Sequence, residues 1–266
     1  MTSTEQASTT VALEWPTPEI ATLTLDRPKA GNSLSVQLVG DLRRAVRELT
    51  YGNRPKAVVV SGRGRFFCAG ADLKEQDRPS SWLDDVRQAF DELAALPALV
   101  IAAINGACMG GGLELALACD VRMAARSSRL GLPEIRFGAL PAAGGPQRLA
   151  RVVGAGRAKL LICTGRHLTA DEAAALGVVD EVVDDDDLHA AALGVASEVA
   201  NHAGYAIAAA KVAVDAGQDA GLAEALRLEY RLIDTMAGPE ERAAEVRRAM
   251  ERSDTYGRIF GSEKER

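Results

Sequence analysis

The run Asn105-Gly106-Ala107-Cys108-Met109-Gly110-Gly111-Gly112-Leu113-Glu114-Leu115-Ala116-Leu117-Ala118-Cys119 carries two features able to do chemistry, and it reads as strand, glycine turn and helix. A helix beginning just after Gly111 leaves its first N–H groups unpaired, with the positive end of the helix dipole behind them, and such a terminus stabilises an oxyanion. Three glycines also serve simply as a tight turn with close packing. The second feature is Glu114. The segment Leu113 to Cys119 is apolar on every side apart from this residue, and an all-round apolar helix is a buried one. Burying a carboxylate without compensation costs several kcal/mol, of order 2 or more, or forces the proton on. Glu114 is therefore a general acid or base with a raised pKa, or one half of a structural salt bridge to an arginine elsewhere.

Glu134 is a second candidate carboxylate, set between Leu130-Gly131-Leu132-Pro133 and Ile135. Arg136 would share its side of an extended segment, so an ion pair between the two is the competing reading. Twenty residues separate Glu114 from Glu134, and spacing alone does not bring them together. A second small-residue turn lies in Phe66-Phe67-Cys68-Ala69-Gly70-Ala71-Asp72-Leu73-Lys74. Ala69-Gly70-Ala71 would let a ligand approach the backbone closely, although an ordinary strand-to-helix loop looks the same. Arg27, Lys29, Arg63, Arg65 and Lys74 could together form a local basic rim for phosphates, while each alone reads equally as solvated surface charge.

The elements that must position these residues alternate in the N-terminal half. Ile20 to Leu25 is a short apolar, β-branched strand closed by Asp26-Arg27-Pro28, and a helix is expected over about Ser35 to Thr50. Ala57-Val58-Val59-Val60-Ser61 is a strand whose unbroken apolar run predicts burial on both faces. A helix over about Trp82 to Leu96 leads to strands at Leu99 to Ile104 and Val121 to Ala124. This is α/β alternation. From about Gly145 onward only helical patterns are expected, separated by glycines, and the acidic run Asp184 to Asp187 precedes one of them as a solvated loop. Helices appended to a finished sheet must bury their apolar faces against the first domain or a partner subunit.

Composition excludes several classes. The 266 residues are 47% hydrophobic and 26% charged, which rules out disorder as the main state. A net charge of -6 with a pI near 5.3 argues against nucleic-acid or anionic-membrane partners, so an anionic ligand must be met locally. Cys68, Cys108, Cys119 and Cys163 show no CxxC pairing, and His167, His189 and His202 lie apart from them, so neither a zinc site nor a disulfide framework is expected. Residues 1–10 read as a disordered tail without the features of a secretory or mitochondrial signal, and a cytoplasmic location is expected. Leu93 to Leu113 runs 21 residues without a charge, but Pro97, Asn105 and the glycine triplet break it, and a strand, turn and helix start explain it better than a bilayer.

Four motifs in order resemble the crotonase, or enoyl-CoA hydratase/isomerase, superfamily over about Ile20 to Arg252. They are Leu25-Asp26-Arg27-Pro28 with Asn32-Ser33-Leu34, then Phe67 to Leu73, then Asn105 to Gly112 with Glu114, and Leu132-Pro133-Glu134-Ile135 followed by Gly144-Gly145-Pro146-Gln147-Arg148-Leu149. Each is modest alone, and the ordered set is specific. The resemblance implies an α/β fold whose core of ββα spiral turns runs over 11–200, with a helical oligomerisation region over 201–266 and assembly as a homotrimer or dimer of trimers. It implies that the N–H groups of Ala71 and Gly111 form an oxyanion hole for an acyl-CoA thioester. By the same resemblance Lys29, Ala30, Ala69, Gly70, Asp72, Leu73 and Lys74 contact the substrate or its coenzyme A portion. Glu114 matches the family glutamate that activates water for the β carbon, and Glu134 the one that protonates the α carbon. Retention of both favours a hydratase over an isomerase, with no metal and no cofactor beyond the coenzyme A of the substrate.

Two departures stand out. Pro146 replaces the threonine of many hydratases, which removes a possible helix cap but fits a first helical turn, so a reshaped active-site loop is expected. The tail Ser253 to Arg266 is shortened, with Tyr256 near the usual glutamate. Trp82, Phe90 and Phe137 are aromatic residues that the sequence does not assign to an acyl pocket.

Overall fold

The run Ala57–Gly62 buries both of its faces, as its unbroken apolar pattern predicts. Val58 and Val60 join one hydrophobic cluster, Ala57 and Val59 a second, because alternate side chains of a strand point to opposite faces. In this computed structural model, which describes residues 9–252, the strand lies inside a six-stranded sheet. The sheet draws on β1 (Val11–Thr17), β2 (Ile20–Leu25), β3 (Ala57–Gly62), β5 (Leu99–Ile104), β7 (Val121–Ala125) and β10 (Glu181–Val183), hydrogen-bonded in the order β1-β2-β3-β5-β7-β10. All neighbours are parallel except the β1–β2 pair. A smaller four-stranded sheet takes β4 (Phe66–Cys68), β6 (Ala107–Met109), β8 (Arg129–Gly131) and β9 (Leu168–Thr169), in that order.

Helices cover both faces of the larger sheet. α1 (Val36–Tyr51), α2 (Trp82–Ala94), α3 (Gly111–Ala118), α4 (Gly145–Val153) and α5 (Ala155–Thr164) contribute to the first cluster. The short α6 (Ala170–Ala175) follows β9. α7 (Leu188–Ala200) places Leu188, Ala192 and Ala196 against the second cluster, a stripe at helical spacing. The large-sheet strands β3, β5 and β7 are each followed by a strand of the small sheet and then a helix: β3, β4, α2; β5, β6, α3; β7, β8, α4. This repeat is the ββα turn that the resemblance implies, and the α/β fold is the one expected.

Three expectations need correction. The chain is not purely helical after Gly145, since Leu168–Thr169 pairs antiparallel with β8 and Glu181–Val183 pairs parallel with β7. Two or three residues are too few to show a period, and their partners, not their pattern, make them strands. β1 was also not foreseen, because Trp15, Pro16 and Thr17 interrupt its apolar alternation. The disordered tail expected over residues 1–10 does not include its last two: Asp41 Oδ2 accepts hydrogen bonds from the Thr10 N–H at 2.7 Å and its hydroxyl at 2.8 Å. The rest of that tail, and the C-terminal tail with Tyr256, lie outside the described residues.

The chain divides into two units, 1–202 and 203–266. The second carries α8 (Gly204–Asp219), α9 (Leu222–Thr235) and α10 (Pro239–Arg252). Its helices leave Val214, Leu222, Tyr230 and Ile233 exposed. Among the described residues no helix is long and apolar enough to cross a membrane.

α3 packs directly on the end of β4 at Gly112, where a β-carbon would lie 2.2 Å from the Cys68 carbonyl oxygen. Gly112→Ala is expected to destabilise the protein by about 3 kcal/mol through overpacking. Gly194→Ala, in the exposed middle of α7 with nothing within 4 Å, is expected to stabilise it by about 0.5–1 kcal/mol. Urea denaturation of the two variants measures both.

Candidate active site

β4, β6 and β8 are parallel neighbours in the small sheet, so their C-terminal ends lie side by side. The three segments that leave those ends are Ala69-Gly70-Ala71, Gly110-Gly111 and Leu132-Pro133-Glu134. They converge on one cavity of about 280 Å³, and Glu114, at the first turn of α3, lines it too.

Backbone conformation makes the convergence possible. Gly70 and Gly110 both adopt positive φ, at 90° and 54°, where side chains are strained. Space is also denied to them: a β-carbon on Gly110 would lie 2.8 Å from Glu134 Oε1, and one on Gly70 only 2.7 Å from the Met109 carbonyl oxygen. The turn at residue 70 is held by a short parallel bridge to Leu34, whose N–H donates to the Gly70 carbonyl at 2.8 Å. The Ala69 N–H donates to the Gly31 carbonyl at 2.9 Å. Neither the Ala71 N–H nor the Gly111 N–H has a hydrogen-bond partner among the described residues. The two nitrogens are close neighbours, since a β-carbon on Gly111 would lie 3.9 Å from Ala71 N and one on Gly70 would lie 3.3 Å from Gly111 N. Paired free amides at a helix start can hold a developing oxyanion.

The two carboxylates sit opposite these amides in unlike surroundings. Glu114 is buried at 3% exposure, and its Oε1 accepts hydrogen bonds from the N–H of Ala143 at 2.7 Å and of Gly145 at 2.8 Å. It makes no ion pair within 4.0 Å among the described residues, and backbone donors take the place of the structural salt bridge considered from the sequence. Burial raises its pKa above the usual carboxylate range, and those two N–H groups and the more distant Arg148 and Arg87 offset only part of the rise. Glu134 opens a 3-10 turn, Glu134–Phe137, not the extended segment expected. The turn separates it from Arg136, which packs against Gly165, and the proposed Glu134–Arg136 pair does not form. Its Oε2 is buried with no hydrogen-bond partner among the described residues. Burial pushes its pKa up to about 7, and the neighbouring Glu114 charge adds to the rise.

The remaining wall of the cavity is apolar, with Leu34, Leu73, Trp82, Val86, Phe137 and Leu140. Phe90 is instead fully buried in the core. A wider groove of about 950 Å³ shares Ala69, Ala71 and Leu73 with it. This groove is lined by Lys29, Ala30, Asp72 and Lys74 from the expected substrate-contacting set, together with Arg27 and Arg65. Gly70 lines the smaller cavity only. Two of the five basic residues are already engaged: Arg27 pairs with Asp72 at 3.0 Å and Arg63 with Asp26 at 2.8 Å. Burial works against the Asp72 charge, but the Arg27 side chain, the Lys74 N–H and Ser33 outweigh it and hold the carboxyl below its usual range. Asp72 therefore orients the groove, and Lys29, Arg65 and Lys74 are left to supply positive charge.

Sequence reasoning missed Ala143 and Gly145, whose N–H groups hold Glu114. The signal was the Gly144-Gly145-Pro146 run, a helix-start pattern. Gly144 adopts φ 103° and Pro146 falls in the first turn of α4, as its fixed φ suits.

The family model described as enoyl-CoA hydratase/isomerase matches residues 17–256, and the chain belongs to that family, within the crotonase superfamily. It is 43% identical over 178 residues to human enoyl-CoA hydratase domain-containing protein 2, mitochondrial, covering 65% of this chain and 61% of that protein. It is 42% identical over 174 residues to enoyl-CoA isomerase/hydratase fer4 of Mycosarcoma maydis, covering 60% and 64%. The matches span between 60% and 65% of the length of these and similar curated relatives. Among solved structures, an enoyl-CoA hydratase from Bacillus anthracis superposes with a TM-score of 0.86 at 35% identity, covering 91% of this chain and 96% of that one.

The raised Glu134 pKa makes a signed stability prediction. The folded state binds this proton more tightly than the unfolded chain, whose carboxyl titrates near 4.5. Its contribution is thus fully present below about pH 4.5 and is lost as the pH rises through about 7. Denaturant midpoints measured between pH 5 and pH 8 should fall more steeply for the wild type than for Glu134→Gln. Equal slopes would show that Glu134 titrates normally.

Proposed function

We propose that this chain is a 2-enoyl-CoA hydratase, adding water reversibly to a trans-2-enoyl-CoA to give a 3-hydroxyacyl-CoA. The observation that carries the reading is the meeting of two desolvated carboxylates with two unpaired N–H groups in one cavity. In this reading the Ala71 and Gly111 N–H groups donate hydrogen bonds to the thioester carbonyl oxygen, and negative charge develops there as the enolate-like transition state forms. Glu114, as carboxylate, takes a proton from water while the water oxygen bonds to the β carbon. Glu134, protonated, gives its proton to the α carbon. The net change is addition of one water, and no electron is exchanged, so no redox cofactor is required. The coenzyme A portion runs along the groove, where Lys29, Arg65 and Lys74 meet its phosphates, and Ala30, Asp72 and Leu73 shape the wall.

The acyl chain lies against Leu34, Trp82, Val86, Phe137 and Leu140. No Lys, Arg or His lines that cavity among the described residues, so an apolar acyl group suits it and a carboxylated one does not. The exposed apolar side chains of α8 and α9 supply the assembly surface of a homotrimer or dimer of trimers.

Loss of the conjugated enoyl-thioester absorbance with crotonyl-CoA and trans-2-hexenoyl-CoA tests the activity. Glu114→Gln and Glu134→Gln should each lower kcat about 10²- to 10⁴-fold with little change in KM. Hydration by the wild type should decline as the pH rises through about 7, where Glu134 loses its proton. A wild type inert to 2-enoyl-CoA but able to shift the double bond of a 3-enoyl-CoA would replace this reading with an isomerase.

A further inference from the structure

The peptide unit that holds Glu114 is itself held from behind. The Ala143 N–H donates to Glu114 Oε1 at 2.7 Å, and the carbonyl of the same peptide, that of Ala142, accepts a hydrogen bond from Arg87 Nε at 2.7 Å. A planar trans peptide points its C=O and N–H in opposite directions. The Arg87 cation and the Glu114 anion therefore sit at opposite ends of one amide dipole, and each polarises it in the same sense. A second strap lies one residue on: Arg148 Nη1 donates to the Ala143 carbonyl at 3.1 Å, while its Nη2 pairs with Asp91 at 2.6 Å. The Gly144 carbonyl accepts from the Arg148 N–H at 2.9 Å, which fixes the peptide whose N–H, that of Gly145, is the other donor to Glu114.

We infer that Arg87 and Arg148 are positioning residues, straps on the 142–145 loop that aim its N–H groups at Glu114 and keep that carboxylate ionised as the base. This deepens the hydratase reading and rests on it for the word base, though not for the strap itself. The charged and titratable groups facing Glu114 account for the effect. α2 brings Arg87, whose Nη1 is shared with Asp84 at 3.1 Å, and Asp91, which is engaged by Arg148. α4 brings Arg148, and the 3-10 turn brings Glu134. β4 and β6 at its back carry only the thiols of Cys68 and Cys108, whose pKa values burial drives upward, that of Cys68 to about 12. The arginines are the two positive charges in the set. Neither touches the cavity, so both act through backbone.

The test combines kinetics with a titration that does not depend on turnover. Protein labelled with 13C at the glutamate side-chain carboxyl carbon, with Glu114→Gln to assign the resonance, reports the Glu114 pKa by NMR. Arg87→Gln and Arg148→Gln are expected to move that titration to higher pH and the acid limb of kcat/KM with it. They should lower kcat roughly three- to tenfold at neutral pH while leaving KM in place. Arg87→Lys is expected to restore part of both shifts. If the Arg148 variant folds poorly, Asp91→Asn loosens the same strap from the surface and should act in the same direction. A Glu114 titration unmoved in these variants overturns the inference, whatever the activity. A titration that moves in a protein inert to enoyl-CoA sustains the strap and overturns the hydratase reading alone.

Discussion

A carboxylate taken out of water needs donors for its charge, and Glu114 finds them at the start of another helix. The N–H groups of Ala143 and Gly145 belong to the opening of α4, where backbone donors have no intrahelical partner. A capping side chain from the loop itself would ordinarily take them. Here the cap comes from α3, and the residue next in line is Pro146, which has no N–H to satisfy. Pro146, where many hydratases have threonine, therefore adds no further donor to this helix start. Two helix starts, those of α3 and α4, face each other across one carboxylate, and both favour negative charge there. Displacing Glu114 would leave two buried amides unpaired.

The same economy of backbone explains why the site is placed where it is. The cavity-lining segments Ala69-Gly70-Ala71, Gly110-Gly111 and Pro133-Glu134 leave the C-terminal ends of small-sheet strands, and each ββα turn sends its second strand to that sheet. β4, β6 and β8 are only three residues each, too short to be stable alone. Their role is alignment. Register within this sheet ties Cys68 to Cys108 and Met109 to Gly131, and the Gly110 N–H adds a bond to the Gly131 carbonyl at 2.8 Å. Residues 71, 111 and 134 are thus drawn together by ladder geometry, not by anything local to them.

That distinction sets what was legible beforehand. The helix over Ser35 to Thr50 was readable because Ser35 caps it through the Leu38 N–H, a local event. So was the burial of β3 on both faces, and the depth of Glu114, since an all-apolar helix states its own environment. The partners of Glu114 were not readable, because they lie 29 and 31 residues away and are backbone atoms of any residue type. Glu134 was misjudged in conformation: Pro133 precedes a 3-10 turn, and that turn, not an extended strand, separates it from Arg136. β9 and β10 were invisible for the reason already given by their length. The family resemblance supplied the pairing of the glutamates that spacing could not.

One residue type in two surroundings can serve as base and as acid, and the asymmetry here has identifiable causes. Both glutamates lose hydration, which by itself would raise both pKa values and leave them alike. For Glu114 the rise is partly offset by the Gly145 and Ala143 N–H groups and by the charges of Arg148 and Arg87. Glu134 has an Oε2 unpartnered among the described residues and a carboxylate for a neighbour, so each further step toward ionisation of Glu114 makes its own ionisation harder. The two effects reinforce each other: support for one charge is opposition to the other. A proton bound by either carboxyl thus relieves the repulsion between them, so the two titrate as a coupled pair in one cavity.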